Sequence, residues 1–203
     1  MIIQTFTGGL ADTNCFLIEN EGRSILIDAP EESAAWLQNH GIKVSLLLLT
    51  HGHFDHIWDA ARIQREHGCK VACHPDGIPL MSEPNFFKRF GFDFEIEPVQ
   101  ADLLLEESDS EIFEGIEFQT LLVPGHCPGS LCFFAKADRI LFGGDVLFAD
   151  GVGRTDLPGG DWDLLMSGIK GKIFPLGDDV KVLPGHGPAT TIGRERQSNP
   201  FLS

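Results

Sequence analysis

Short apolar runs separated by turn-forming residues fill the first third of the chain. Three of them, at 2–6, 14–20 and 23–29, are rich in β-branched and aromatic side chains and are divided by Gly, Asn and Asp. This spacing predicts an antiparallel meander of three β-strands. The run VSLLLLT at 44–50 shows no alternation of polar and apolar positions, so it predicts a strand buried on both faces. KVACH at 70–74 predicts a further strand.

Helical patterns are interleaved with these runs. The segment EESAAWLQNHG at 31–41 begins with acidic residues and ends at a glycine, which is typical of an α-helix. HIWDAARIQREHG at 56–68 predicts a second helix, and DWDLLMSGIKG at 161–171 predicts another. The segment SEPNFFKRFGFDFEIEP at 82–98 has no sustained period and predicts an irregular connection.

The second half of the chain repeats the order of strands followed by helices. Apolar runs at 111–125, 131–145 and 180–187 predict strands on either side of the last helix. No internal repeat of fixed period and no linker-like stretch is present, so residues 1–203 are expected to form one domain. This arrangement favours an α/β fold in which two sheets pack face to face with helices on the outer faces.

The excess of acidic over basic residues limits the classes of partner expected for this chain. Its 203 residues include 30 acidic and 15 basic side chains, which gives a formal net charge of −15. A surface of that sign repels phosphate backbones, so nucleic acid is not an expected partner. No apolar run approaches the ~20 residues that span a bilayer. The N-terminal MIIQTFTGGLADTN lacks the pattern of a secretory signal, so neither membrane association nor export is expected.

The cysteines indicate a reducing environment. Five of them occur, an odd number without compact pairing. Reduced thiols and a cytoplasmic location are therefore expected. The sequence makes no prediction of oligomeric state. The five positions are Cys15, Cys69, Cys73, Cys127 and Cys132.

A group of potential metal ligands follows the most apolar run. In THGHFDH at 50–56, His51, His53, Asp55 and His56 lie within six positions. The two leading histidines fall in the turn after the predicted strand, whereas Asp55 and His56 open the next helix. Asp55 taken alone could be a helix cap. Four such side chains together are costly to bury unless something neutralises them, and a divalent cation is the natural partner.

Three further side chains share this context. His126 in VPGHCPGS, Asp145 in FGGD and His186 in LPGHGP each follow an apolar run and lie beside Gly or Pro. The two sets together provide five histidines and two aspartates. That is too many for one tetrahedral zinc, but it suits two metals that share a carboxylate. The other histidines lack this pattern and are expected in surface or loop positions: His40, His67 and His74.

The order and context of these residues resemble the metallo-β-lactamase superfamily over nearly the whole chain. The resemblance implies an αββα sandwich of two mixed β-sheets, with helices on the outer faces and the site at one edge. It implies two divalent metal ions, with zinc expected and iron or manganese as alternatives. The implied first metal site is His51, His53 and His126, the second is Asp55, His56 and His186, and Asp145 bridges them.

The loop after Asp145 narrows the resemblance. GVGRTDLPGGD at 151–161 is similar to the loop of glyoxalase II-type hydrolases. This implies hydrolysis of a small thioester such as S-lactoylglutathione by a hydroxide that bridges the metals, with Asp55 and Asp145 as catalytic residues. Arg154 is a candidate for binding a substrate carboxylate, or for bracing Asp145 through Asp156. Cys127 stands where relatives often carry Ser or Thr, and packing is favoured over metal ligation.

The end of the sequence departs from full-length glyoxalase II. That family carries an additional helical C-terminal region whose basic and aromatic residues grip glutathione. This sequence stops at residue 203, soon after His186, and contains no tyrosine, so that region is expected to be absent. A thioester hydrolase is therefore better supported than glutathione as its thiol carrier.

Four other functions are alternatives to this interpretation. An iron-dependent persulfide dioxygenase has a similar ligand pattern and is the main alternative, since His and carboxylate also suit iron. A β-lactamase is less favoured because no export signal is visible. A nuclease would need further nucleic-acid-binding regions and a less acidic surface. A non-catalytic scaffold predicts lost ligands, and no ligand is lost.

Overall fold

Two six-stranded β-sheets form the centre of the molecule. The computed structural model describes residues 1–84, 88, 91 and 94–202, so part of the predicted connection at 82–98 lies outside the described residues. In the first sheet, β1 to β3 pair antiparallel and β3 to β6 pair parallel, which makes the sheet mixed. Its strands are β1 Ile2–Gly8, β2 Thr13–Asn20, β3 Arg23–Ile27, β4 Leu46–Leu48, β5 Lys70–Cys73 and β6 Leu103–Leu104.

The second sheet is also mixed. Its spatial order is β14-β13-β10-β9-β8-β7, with one parallel pair, β10 with β13, among antiparallel neighbours. The two-stranded hairpin β11-β12 stands apart from both sheets. These strands are β7 Ser108–Phe113, β8 Ile116–Leu122, β9 Leu131–Ala135, β10 Ile140–Gly144, β11 Leu147–Phe148, β12 Gly151–Val152, β13 Lys181–Pro184 and β14 Thr190–Thr191.

Short helices connect and cover the strands. The α-helices are α1 Ser33–Asn39, α2 Phe54–Ile57, α3 Ala60–His67, α4 Ile78–Ser82, α5 Trp162–Gly168 and α6 Ile192–Ser198. Single 3₁₀ turns lie at Pro75–Gly77, Lys136–Asp138 and Phe174–Leu176, and a π-helical turn at Ile169–Ile173 continues α5. In the described part of the chain, no helix has the length and apolar character needed to cross a membrane.

Alternation along the strands divides the core into three layers. In β2, Cys15 and Leu17 pack in a cluster with α1 and α3, while Phe16 and Ile18 face the second sheet. A third cluster joins the other face of the second sheet to α5 and α6. The structure is therefore the predicted α/β sandwich with two mixed sheets between outer helices. Burial of each large apolar side chain between the sheets stabilises the fold by about 1.5–3 kcal/mol. The bulkiest fully buried side chains there are Phe118, Phe133 and Phe142.

The predicted strands are confirmed, and one predicted helix is corrected. The meander is β1-β2-β3, and β4 is buried on both faces as expected, with Leu47 and Leu48 in different clusters. The helix predicted at 56–68 is instead two helices, α2 and α3. The helix is interrupted at Asp59. The Asp59 carboxylate accepts a hydrogen bond from the Ala34 amide at 2.9 Å, and the Asp59 amide donates to the Ala29 carbonyl at 2.9 Å.

Candidate metal centre

Loops at the ends of buried strands bring the candidate ligands together. The loop after β4 carries His51 and His53, the residue after β10 is Asp145, and His186 follows β13. Backbone hydrogen bonds tie these loops to one another: the Gly185 amide donates to Gly144 at 2.8 Å. Because strand ends from both sheets meet at this edge, residues far apart in sequence share one small volume.

Three histidines form the first group. Donor atoms of His51, His53 and His126 lie within 4.8 Å of one another, and all three side chains are buried. His51 Nε2 and His53 Nδ1 are 3.1 Å apart. The structure thus assembles the three residues of the predicted first site.

A carboxylate and two histidines form the second group. Asp55, His56 and His186 also offer donor atoms within 4.8 Å of one another. Asp55 Oδ2 lies 3.4 Å from His56 Nε2 and 3.3 Å from His186 Nε2. Asp55 also accepts a hydrogen bond from the Thr13 hydroxyl at 2.7 Å.

Asp145 lies between the two groups. Its Oδ2 is 3.4 Å from Nε2 of His126 in the first group and 3.3 Å from Nε2 of His186 in the second. Its Oδ1 is 3.3 Å from His56 Nε2. One carboxylate therefore contacts both groups, which is the position that a bridging ligand needs.

Hydrogen bonds on the far side of each ring orient the histidines. His126 Nδ1 donates to the Arg154 carbonyl at 2.8 Å, and His186 Nδ1 donates to the Ala11 carbonyl at 3.0 Å. A carbonyl can only accept, so Nδ1 carries the proton in both rings. In the neutral rings, Nε2 then presents a lone pair to the centre. Such outer partners fix the tautomer and direction of metal-binding imidazoles.

Asp28 is a buried part of this centre that the sequence analysis did not single out. It accepts hydrogen bonds from the Thr50 amide and hydroxyl, each at 2.8 Å, and from His56 Nδ1 at 2.8 Å. Its φ of 60° is uncommon for a residue other than glycine. Its position in ILIDAP, directly after an apolar strand, is the same signal that marked Asp145.

The two groups of ligands differ in the pKa values of their side chains. Burial lowers the pKa of His51, His53 and His126, to about 3 for His53, and the neighbouring histidines lower the pKa of His51 and His53 further. These rings are therefore neutral at pH 7. The neutral imidazole is the form that coordinates a metal.

The second group pairs carboxylates with histidines. Burial opposes protonation of His56 and His186, but the nearby Asp55 and Asp145 raise the pKa of His56 well above its usual value and that of His186 to about 10. Burial opposes ionisation of Asp55, but the charge of His56 and the bonds from His186 and Thr13 lower its pKa to about 2. For Asp145, burial is likewise outweighed by His56 and His186, which hold its pKa well below its usual value. Two ionised carboxylates beside imidazoles form a site for a cation.

Two observations show whether this donor set fits metal ions: buried polar atoms without hydrogen-bond partners, and the distances between donor atoms. Within the described residues, His56 Nε2, His126 Nε2 and Asp145 Oδ1 are buried without a hydrogen-bond partner, which is costly unless something else binds them. Two atoms bound tetrahedrally at about 2.0–2.1 Å from one zinc lie about 3.4 Å apart. The contacts of 3.1–3.4 Å seen here match that spacing. The residues fit two divalent cations.

Two glycines make room for this packing. A Cβ at Gly185 would lie 2.2 Å from Asp145 Oδ1, and one at Gly153 would lie 2.9 Å from His126 Cβ. The loop GVGRTDLPGGD thus needs glycine at 153 because of the close approach to a candidate ligand, and not for turn geometry alone.

A cleft of about 430 Å³ opens onto the centre. Its apolar lining includes Phe148, Val152 and Leu157, and Arg154 stands at its side. The Arg154 guanidinium pairs with Asp156 through two contacts of 2.7 Å, and both side chains are largely exposed. The bracing contact to the centre comes from the Arg154 backbone carbonyl and holds His126, which differs from the predicted route through Asp156 to Asp145.

The remaining histidines lie outside the donor groups found in the described residues. His40 bonds to its own helix, and His67 accepts from the Val44 amide. His74 is buried in a loop, where its ring accepts from the Asp76 amide at 3.1 Å, so the surface alternative is wrong for this residue. Cys127 is buried, belongs to none of the groups, and is a free thiol like the other four cysteines.

Comparison with known families identifies this arrangement. A model of the metallo-beta-lactamase superfamily matches residues 8–189. The chain belongs to the metallo-beta-lactamase superfamily. The match spans every candidate ligand from His51 to His186. Together with the His/Asp cluster, membership implies divalent metals at this centre.

Similar proteins within this superfamily carry several descriptions. The chain is 37% identical to the hydroxyacylglutathione hydrolase GloC of Haemophilus influenzae, over 94% of this chain and 92% of the relative. Among solved structures, the BLEG-1 B3 metallo-beta-lactamase is similar with a TM-score of 0.92 and 33% identity, covering 100% of both chains. TTHA1623 in a di-iron-bound form has a TM-score of 0.87 and 35% identity, covering 98% of this chain and 100% of that one.

Proposed function

We propose that this protein is a binuclear metal-dependent hydrolase of small thioesters such as S-lactoylglutathione. The contact of Asp145 with both ligand groups carries the binuclear part of the proposal. The 37% identity to a hydroxyacylglutathione hydrolase over nearly the full length of both chains supports the substrate class. Residues 1–203 act in this proposal as a single catalytic domain.

The proposed ligand assignment follows the two groups. Zinc suits the histidine-rich donor set, and iron or manganese are the alternatives, because a similar protein was solved with two irons. When bound, two cations lower the pKa of a water molecule toward neutrality and polarise the thioester carbonyl. The assignment is His51, His53 and His126 for the first cation, Asp55, His56 and His186 for the second, and Asp145 for both.

Asp55 and the apolar wall of the cleft have separate roles in the proposed reaction. With its pKa of about 2, Asp55 is an ionised acceptor that can orient the attacking water by a hydrogen bond. The water oxygen bonds to the acyl carbon, the carbon–sulfur bond breaks, and the products are a carboxylate and a thiol. A thiolate leaves readily, so this reaction needs no strong general acid. Phe148, Val152 and Leu157 offer apolar contacts to the acyl chain or thiol carrier.

The proposed partner is a small molecule, and the proposed location is the cytoplasm. A small-molecule substrate suits a cleft of this size, and the acidic chain does not favour nucleic acid. Five free, buried thiols suit the reducing cytoplasm.

We expect the replete protein to hold about two metal ions per chain and to hydrolyse S-lactoylglutathione. The measurement is elemental analysis of freshly purified protein, paired with a thioester assay before and after chelation and reloading. Activity should fall on chelation and return with metal. A replete stoichiometry near one would contradict the binuclear centre. Oxygen consumption with glutathione persulfide, together with one iron, would support the dioxygenase alternative instead.

Arg154 is proposed to bind a carboxylate of the substrate, because its guanidinium is a charged group at the side of the cleft. Replacing Arg154 with Met keeps the backbone carbonyl that holds His126, so the metals should remain bound. We expect KM to rise about threefold to tenfold with little change in kcat. Asp156→Asn, which frees the guanidinium from its partner, is the matched variant and should not raise KM. Equal kinetics in wild type and Arg154→Met would remove Arg154 from the substrate site.

A further inference from the structure

The β11-β12 hairpin has a tight turn whose conformation is unusual for its residues. The strands pair Leu147 with Val152 and Phe148 with Gly151, so Ala149 and Asp150 form a two-residue connection. Asp150 has a φ of 59°, in the left-handed region where glycine or asparagine is preferred. A residue in this conformation persists when its surroundings stabilise it.

Helix α6 supplies that stabilisation through a buried glutamate. Glu195 is fully buried, and its Oε2 accepts the Asp150 amide at 2.9 Å. The same carboxylate also accepts from the Thr190 hydroxyl at 2.5 Å, from Arg194 Nη1 at 2.7 Å and from Asn199 Nδ2 at 2.9 Å. Four donors, one of them the cationic Arg194, satisfy a charge that would otherwise be costly to bury.

Two further side chains, one in α6 and one directly after it, bond to the hairpin. Arg194 Nη2 lies 2.8 Å and 2.6 Å from the two carboxylate oxygens of Asp150. Asn199, directly after α6, donates from Nδ2 to the Gly151 carbonyl at 3.0 Å. The side chain and amide of Asp150 and the carbonyl of Gly151 are thus all held by α6 and the residue that follows it. We name Arg194, Glu195 and Asn199 the α6 clamp.

The clamped hairpin connects two parts of the candidate active site. It begins just after Asp145 and ends just before Arg154, whose carbonyl orients His126. Its Phe148 and Val152 line the cleft, and the Phe148 ring lies 6.0 Å from that of His186. A shift of the hairpin would therefore move the cleft wall.

We propose that the α6 clamp positions the substrate-facing wall of the cleft. Within the described residues, the hydrogen bonds of the clamp reach the hairpin and none reaches a candidate metal ligand, so the clamp acts through Phe148 and Val152. Loosening the clamp should weaken substrate binding while the metals stay in place. This consequence for binding rests on the proposed thioesterase function, whereas the positioning itself does not.

The test compares two arginines of the same helix. Arg194→Met removes the pair with Asp150. Arg196→Met is the matched control, because Arg196 pairs with Asp178 and the Phe174 carbonyl, and is similarly exposed. Hydrogen exchange of peptides covering 146–153 is measured on both metal-loaded variants, together with metal content, melting temperature and S-lactoylglutathione kinetics. Asp150→Asn removes the negative charge of the same ion pair, and asparagine tolerates the left-handed conformation of this turn.

We expect hairpin exchange to quicken about tenfold in Arg194→Met and Asp150→Asn but not in Arg196→Met, with metal content unchanged. KM should rise about threefold in the first two variants, with kcat altered less. Equal hairpin exchange in Arg194→Met and Arg196→Met would overturn the proposal, as would faster exchange with unchanged KM. A wild type that does not hydrolyse the thioester refutes the proposed function instead, and hydrogen exchange then decides the clamp alone.

Discussion

Replacing Asp145 with Ala is expected to abolish hydrolysis and to loosen both metals together. The carboxylate lies 3.3–3.4 Å from Nε2 of His126 and of His186, which belong to different ligand groups. Loss of a shared ligand leaves each cation with fewer donors and removes negative charge from between them. We expect the rate to fall by about three orders of magnitude or more, the scale reached when a main electrostatic element of a site is deleted.

Metal titration by calorimetry, with elemental analysis after dialysis, measures this effect. Asp163→Ala is the matched control, because Asp163 is an exposed aspartate in the first turn of α5. It should retain wild-type stoichiometry. If one metal in Asp145→Ala stayed at full affinity, Asp145 would be a terminal ligand and the bridging assignment would be wrong.

Adjacent residues should give opposite results at positions 126 and 127. His126→Ala is expected to lower the metal affinity of the first site and to abolish turnover, since its Nε2 faces the centre and lacks a protein hydrogen bond among the described residues. Cys127→Ser should keep the metals and most of the rate. Its side chain is buried and belongs to none of the donor groups found in the described residues.

Metal content and steady-state kinetics of the two variants provide the comparison. A thiolate is a strong zinc ligand, so its removal from a first coordination shell would release metal. Metal loss in Cys127→Ser would show that the thiol coordinates a cation and that packing is not its role. A His126→Ala protein with full metal content would remove this histidine from the first site.

Local pattern predicted the strands that reach the site. Runs such as NCFLIEN and VSLLLLT are apolar on both faces, and burial between a sheet and its covering helices requires that character. The helix predicted at 56–68 was wrong in its continuity. Asp59 leaves the helical pattern because its carboxylate bonds to Ala34 at the start of α1 and its amide bonds to Ala29 before α1. These contacts join segments distant in sequence, which periodicity cannot show.

The sequence by itself determined which side chains are candidate ligands. Five of them lie beside a glycine in loops at strand ends, and Asp55 and His56 follow in the next short helix, a placement that is visible along the chain. Only the tertiary structure decided how they are grouped and held. Asp28 reaches His56 across 28 residues, and the Ala11 carbonyl reaches His186 across 175. The α6 clamp joins Glu195 to Asp150 across 45. Such contacts arise when two sheets stack and bring strand ends together, so they depend on three-dimensional distance, which the order of residues does not encode locally.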